Sequence, residues 1–463
     1  MKNFVWVFLL PVVLSAQNNI KLDAYMQKQA GLYGFSGNVL IAKKGTVIYK
    51  KSFGYADRQV KRILNDNSIF DCGSIAKEFT AMGILLLKDK GLIDYNDTLG
   101  KFIPGLPYGG LTIQQLLTHT SGMPNGFAVV AKFFDHGKIA SNEDLIQLLV
   151  REKPPLLFKP GENLMYSGTA FNLLASVIEK VSGQSYKTYM YEKVFTRLGM
   201  INTQVFNAPR TVSQIKELAY GYSFSDSLKN YVRSDSLETG WTSYLSGITG
   251  EGMIITTTND LLKWDRSIHH HTLLRETTQR EMLSVQGKRN AIPAVQFGYG
   301  MRVGDNDFGH YIFHDGFFPG YQSMHINYTN EDITAIVLSN NESAAEFIAD
   351  ALVGIVLKKD IRNASLHRQS NQTALPGNYT GKYMMRLVRP PYMTEFPVEF
   401  LNKHDSLFIH PTMGKDIFLK PETSSTFFFA DGTDQQIEFE RAGTGVKVWH
   451  IAWGLRKQLT SIP

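Results

Sequence analysis

Ser74-Ile-Ala-Lys-Glu-Phe-Thr-Ala-Met-Gly-Ile-Leu-Leu-Leu-Lys-Asp-Lys-Gly91 is the stretch around which the rest of the chain is read. Ile75, Phe79, Met82 and Leu86 recur at helical spacing, and Gly91 stands where a left-handed C-cap is needed, so a helix is expected from about Ser74 to Lys90. Its first turn spells Ser-x-x-Lys. Residues three apart share a helix face, so the Ser74 hydroxyl and the Lys77 amine can meet. A lysine partly desolvated near the positive end of a helix is expected to have a lowered pKa, and its neutral amine can take a serine proton. An N-cap serine ahead of a solvated lysine has the same spelling, and Ser213-Gln-Ile-Lys216 repeats the spacing in a loop-like region. The motif therefore has to be weighed with its surroundings.

Upstream, Asn38–Ala42 and Thr46–Lys50 flank Lys44-Gly45, which is a hairpin pattern. Downstream, helices are expected at Ile113–Thr118, Asn142–Val150, Ala170–Val181 and Asn259–Ser267, and strands at Tyr321–Tyr328 and Ile333–Leu338. Strands near both ends with helices between them predict an α+β domain. In it an antiparallel sheet joins the two ends and is flanked by helices and a helical subdomain. From Asn363 to Pro376 the chain turns polar and reads as a linker. Short alternating stretches then follow at Tyr379–Tyr383, Phe396–Phe400, Ser406–Ile409, Thr426–Phe429 and Val446–Ala452, the pattern of a small all-β C-terminal domain. The expected segments are 1–16 (leader), 17–362, 363–376 and 377–463.

The leader is read from Lys2, the apolar run Phe4–Leu14 and the small residues Ser15-Ala16, which together spell a secretory signal cut after Ala16. No later segment is long and apolar enough to anchor the chain, so a secreted or periplasmic protein without a stable membrane span is expected. At 463 residues, 43% hydrophobic and 19% charged, the chain can bury more than one core. The net charge of +6 is scattered among acids, which argues against nucleic acid as a partner and leaves a small molecule or peptide. Oligomeric state is not legible. Cys72 is the only cysteine, so no intramolecular disulfide forms, and a small buried hydrophobe is its expected role.

Two further segments carry chemistry. Tyr166-Ser-Gly168 follows Pro160-Gly-Glu162 and precedes a helix, which displays Tyr166 on a loop. A tyrosine between two cations can ionise well below its usual pKa and shuttle protons; a half-buried core tyrosine is the plainer alternative. His314-Asp-Gly-Phe317 ends a strand-like stretch, where a strand edge can bind substrate and donate a backbone N–H; an ordinary turn is the alternative. His119 in Thr118–Gly122 closes a helix and shapes a wall. His269-His-His271 lacks metal-site spacing, so neither a metal nor another cofactor is expected. No Gly-x-Ser-x-Gly elbow surrounds a candidate serine.

Phe35-Ser-Gly-Asn-Val-Leu-Ile-Ala-Lys-Lys-Gly45, Phe53-Gly-Tyr-Ala-Asp57, Ser74-Ile-Ala-Lys77, Leu116-Leu-Thr-His-Thr-Ser-Gly122, Pro160-Gly-Glu162, Tyr166-Ser167 and His314-Asp-Gly316 occur in this order. The chain thereby resembles the β-lactamase-related serine hydrolases: class C β-lactamases, D-aminopeptidases, D,D-carboxypeptidases and related esterases of penicillin-binding-protein fold. The resemblance covers roughly residues 20–355. It implies Ser74 as nucleophile of an acyl-enzyme, Lys77 as base partner and Tyr166 as proton shuttle. It also implies His314 in the place of the third motif's lysine, and the Ser74 and Phe317 amides as oxyanion hole beside Gly316. Two positions depart from the family pattern. Gly168 stands where Tyr-x-Asn is common, removing a side chain that would hold the acyl amide or Lys77, worth about 1.5–3 kcal/mol. His314, near its ordinary pKa, would carry only partial charge for gripping a carboxylate. Together they weaken the case for efficient β-lactam hydrolysis and leave esters, amides and D-amino-acid peptides open. A protein that acylates without turnover, or a non-catalytic binder using the C-terminal β-module, are the other readings.

Overall fold

Lys44 and Gly45 both take positive φ, 50° and 74°, which is the two-residue turn whose twist suits a hairpin. It joins strands Gly37–Lys43 and Thr46–Phe53. The first of these is buried from Gly37 to Ala42 because it has a neighbour on each side. Its other partner is Ile333–Ser339, antiparallel from Gly37↔Ser339 to Lys43↔Ile333, so the sheet does join chain segments some 300 residues apart. The full order is Gly287–Lys288, Gln296–Phe297, Arg302–Asn306, Gly309–Phe318, Tyr321–Tyr328, Ile333–Ser339, Gly37–Lys43, Thr46–Phe53. This computed structural model describes residues 9–212, 215–225, 227–237, 239–288, 296–362, 366–370, 379–386, 395–403, 406–411, 415–430, 433–443 and 445–462. Residues 1–8 of the expected leader, Ser213 and Gln214, and 363–365 and 371–376 of the expected linker lie outside the described residues.

Helices form where the apolar period and the caps agree. Thr112 and Ser141 each close a capping box over Ile113–Leu117 and Asn142–Glu152. The Ser167 hydroxyl accepts from the Ala170 N–H at the head of Gly168–Ser182. That helix packs on Ala76–Asp89, and Thr258–His269 lies on strands Ile333–Ser339 and Gly37–Lys43. One apolar core runs through all of them, with Phe79, Phe171, Trp264 and Ile336 fully buried.

By internal contacts the chain divides into Ser36–Ala345 and a second unit made of Met1–Phe35 with Glu346–Pro463. The segments expected from sequence cut elsewhere, because pairing across 400 residues leaves no local signal: the Tyr25 hydroxyl donates to the Trp453 carbonyl at 2.9 Å. The second unit holds a nine-stranded antiparallel sheet. Its order begins with Leu455–Gln458 and ends with Thr460–Ile462, beside Gly381–Arg386. Only Leu459 separates these two outer strands in the chain, so the sheet curls almost closed around Phe400, Phe427, Ile437 and Phe439. Among the described residues no helix is long and apolar enough to cross a membrane.

Candidate active site

An antiparallel pair sets the geometry. Phe70–Asp71 pairs with Ile254–Thr256 in the register Asp71↔Ile255, and the Cys72 N–H donates to the Ile254 carbonyl at 3.0 Å. The register carries Gly73-Ser74 alongside the chain arriving from Glu251. Gly73 has φ +54°, and its N–H donates to Asp71 Oδ1 at 2.7 Å; Asp71 is itself ion-paired to Arg210. A Cβ on Gly73 would collide with the backbone of Phe317, so glycine here lets the serine turn lie against strand Gly309–Phe318. Gly73–Ile75 is a 3₁₀ turn and the α-helix starts at Ala76, two residues later than the periodicity suggested. Cys72 is buried, and burial pushes its thiol well above the usual range.

Lys77, fully buried, donates to Ser74 Oγ at 3.1 Å and to the Glu251 carbonyl at 2.8 Å, with Glu251 Oε2 at 3.5 Å. The Tyr166 phenol lies beside Lys77 and Ser74, both of which act to lower its pKa, and Lys77 Nζ stands 4.9 Å from its ring centre. Beneath Tyr166 the His119 ring is stacked at 4.6 Å. Its Nδ1 accepts the Ser167 N–H at 3.0 Å, which leaves the proton of the neutral ring on Nε2. Burial, then the nearby Lys77, His314 and Arg302, hold His119 well below the ordinary histidine range. The structure thus brings Ser74, Lys77 and Tyr166 together across a separation of about ninety residues.

Their charge states differ from the sequence expectation. Burial pushes Lys77 down, but Tyr166 and the Glu251 carboxylate outweigh it, so its pKa lies above the ordinary value instead of below it. Burial raises Tyr166, Lys77 lowers it and Asp315 raises it again, and the phenol stays above its usual range. Ionisation below that range required two cations; Lys77 acts on the phenol but does not outweigh burial and Asp315. His314 Nδ1 donates to the Asp315 carbonyl at 2.6 Å, and burial pushes the ring down to about 4 against the pull of Asp315. His314 is neutral near pH 7, not partly charged.

Strand Gly309–Phe318 pairs with Arg302–Asn306 only as far as Arg302↔Phe313, but with Tyr321–Tyr328 as far as Phe318↔Tyr321. From His314 to Phe318 one edge therefore has no neighbouring strand among the described residues, and this is the stretch against which the Ser74 turn lies. Gly316 admits the Cys72 carbonyl, which a Cβ would block. Gly168 opens its helix without a side chain, and a Cβ there would fall inside the Glu251 carboxylate. Glu251 is the residue that sequence reasoning missed; its signal is a lone acid between glycines in Thr249-Gly-Glu-Gly252. His269 ends a helix, and among the described residues no three His, Cys, Asp or Glu side chains are grouped to hold a metal.

Fold and cluster together define the class: a serine hydrolase. The chain belongs to the beta-lactamase family, whose model matches residues 22–357. It is 33% identical over 414 residues to penicillin-binding protein 4* of Bacillus subtilis, covering 88% of this chain and 90% of that protein. It superposes on the octameric penicillin-binding protein homologue from Pyrococcus abyssi with a TM-score of 0.66, covering 95% of this chain and 99% of that one at 23% identity. A D-stereospecific amidohydrolase from Streptomyces sp. matches at TM-score 0.59 and 23% identity, covering 72% and 96%.

Proposed function

We propose that the protein is an exported hydrolase that forms an acyl-enzyme on Ser74 and releases the acid from short esters and aminoacyl amides, including D-amino-acid substrates. The reading is carried by one observation: Lys77 Nζ donates to Ser74 Oγ at 3.1 Å and stands 4.9 Å from the centre of the Tyr166 ring, so the three groups share one buried cluster. The substrate carbonyl enters between the serine turn and the open edge at 314–318. Ser74 Oγ attacks it as the serine proton passes to Tyr166, and Tyr166 gives its own proton to the departing nitrogen or oxygen. Lys77 stays an ammonium throughout and stabilises the negative charge that develops on both oxygens. The Ser74 and Phe317 amides receive the carbonyl oxygen, each worth about 3–4 kcal/mol in the transition state. Water activated by Tyr166 then cleaves the acyl ester.

The substrate class follows from charge. His314 is neutral and Glu251 and Asp315 are acids, so a carboxylate-bearing acyl group finds no cation offered at the third-motif position, whereas a neutral or amino-bearing one is unopposed. The amidohydrolase likeness points the same way.

The test is a panel on purified protein: 4-nitrophenyl butyrate, D- and L-alanine 4-nitroanilide and a chromogenic cephalosporin. Ester and D-anilide should turn over repeatedly, the cephalosporin slowly. Ser74→Ala should abolish all of it with the melting temperature unchanged, and full hydrolysis by that variant would end the reading. A Ser74 adduct persisting for hours on every substrate would favour a protein that acylates and stops.

A further inference from the structure

Glu251 reaches the site along a loop held from three helices. The Thr249 N–H donates to Asn142 Oδ1 at 2.7 Å, and the Thr249 carbonyl accepts from Asn172 Nδ2 at 2.9 Å and Asn142 Nδ2 at 3.1 Å. The Gly250 carbonyl accepts from the Thr80 hydroxyl at 2.6 Å, and Thr80 also meets the Tyr186 hydroxyl. Gly250 has φ +106°, and a Cβ there would run into the Phe171 carbonyl. Asn142 and Asn172 sit on helices Asn142–Glu152 and Gly168–Ser182, and Thr80 is on Ala76–Asp89. With its backbone pinned in this way, the Glu251 side chain, 12% exposed, fills the volume that a side chain at 168 would occupy and meets Lys77 there.

Resting on the reading of Ser74 as nucleophile, we propose that Glu251 is a positioning residue of that site: entering through the space Gly168 leaves, its carboxylate and carbonyl hold the Lys77 ammonium against Ser74 Oγ and keep it charged. The groups facing Lys77 are Ser74, Tyr166 and Glu251, with the neutral rings of His119 and His314 farther off; Asp315 acts on Tyr166. Among the described residues Lys77 is the charged group that acts on Glu251. A buried ammonium without that carboxylate gives up its proton at lower pH, because desolvation disfavours the charged form. The alkaline limb of activity, where Lys77 loses its charge, is therefore governed from position 251. The pair Gly168 and Glu251 is thus one solution: a small residue where the family carries a side chain, and a carboxylate from elsewhere in its place.

The experiment uses the full chain with 4-nitrophenyl butyrate. Glu251→Gln should lower kcat roughly ten- to a hundredfold, with KM moving much less. Its alkaline limb of kcat/KM should move down by roughly one to three pH units. Glu251→Ala should do the same, and adding Gly168→Asn to it should recover rate, since the new side chain enters the emptied volume, while the limb stays displaced. Gly168→Ala alone should lose activity and regain it in the Glu251→Ala background. Melting temperatures identify any variant that fails to fold, and the paired variants then decide. Wild-type kcat and an unmoved limb in Glu251→Gln overturn the proposal. Mass spectrometry of the Ser74 adduct keeps the two readings apart. If the wild type acylates Ser74 and the Glu251 variants behave normally, only the role of Glu251 falls; if no adduct forms and Ser74→Ala stays active, both fall.

Discussion

His314 is 1% exposed, its Nδ1 committed to the Asp315 carbonyl, with Lys77 and Arg302 as cationic neighbours. A proton on its other nitrogen would be a second buried positive charge. The folded ring therefore titrates near 4, whereas an unfolded chain takes up the proton near 6.5. The depressed value means that the unfolded state binds more protons as pH falls through that window, so stability is lost from about pH 6.5 down to about pH 4. The loss amounts to roughly 3 kcal/mol for this one group. His119, also buried and neutral, acts in the same direction. Urea unfolding at pH 7 and pH 4.5 should show a smaller acid loss in His314→Gln than in the parent, and an equal loss in both would contradict the assignment. The residue type was legible, since His314 stands in a readable motif. Its charge was not, because burial is a property of what packs around it.

At the next scale, the helix Ala76–Asp89 presents consecutive residues to different surroundings: Lys77 to the reaction site and Glu78 to the interior. Glu78 meets His325 Nδ1 at 3.1 Å on strand Tyr321–Tyr328, and His325 Nε2 meets Asp265 Oδ1 at 3.3 Å on helix Thr258–His269. Trp264 Nε1 also donates to Glu78, and Arg266 bridges Asp265 and Asp332. Burial pushes His325 down, but the two carboxylates outweigh it and raise its pKa to about 10. A raised value contributes stability that is complete below about pH 6.5 and fades as pH climbs through about 10. The cluster fastens the helix that carries Lys77 to the sheet and to a second helix. His325→Leu leaves two buried carboxylates without their shared cation, and the expected cost is about 3–5 kcal/mol at pH 7. Denaturant unfolding measures it, and a cost under about 1 kcal/mol would count against the fastening role. The apolar face of this helix, Phe79, Met82 and Leu86, was readable from spacing; Glu78 as an interior anchor was not, since its partners lie far along the chain.

At the scale of the whole molecule, the proposed export rests on the expected leader and on what its removal would spare. Helix Leu9–Tyr33 runs through the expected cut, yet its described buried side chains, Leu22, Tyr25, Met26 and Gln29, all lie beyond Ala16. Losing residues 1–16 therefore leaves those contacts intact, and N-terminal sequencing of the protein collected outside the cytoplasm should begin at Gln17. An N-terminus at Met1 in that fraction would refute the cut. Of the fold, the hairpin at Lys44-Gly45, the serine helix, the expected strands and the α+β class could be read directly, because each is written in a local period or a turn residue. The Ser74 to Lys77 spacing belongs with them, since one helical turn sets it. Only the folded chain decided that Tyr166 joins this pair, that Glu251, 174 residues from Lys77, stands in for a side chain at 168, and that His314 is uncharged. Those are matters of proximity and desolvation, which depend on residues distant in sequence and leave no periodic trace in it.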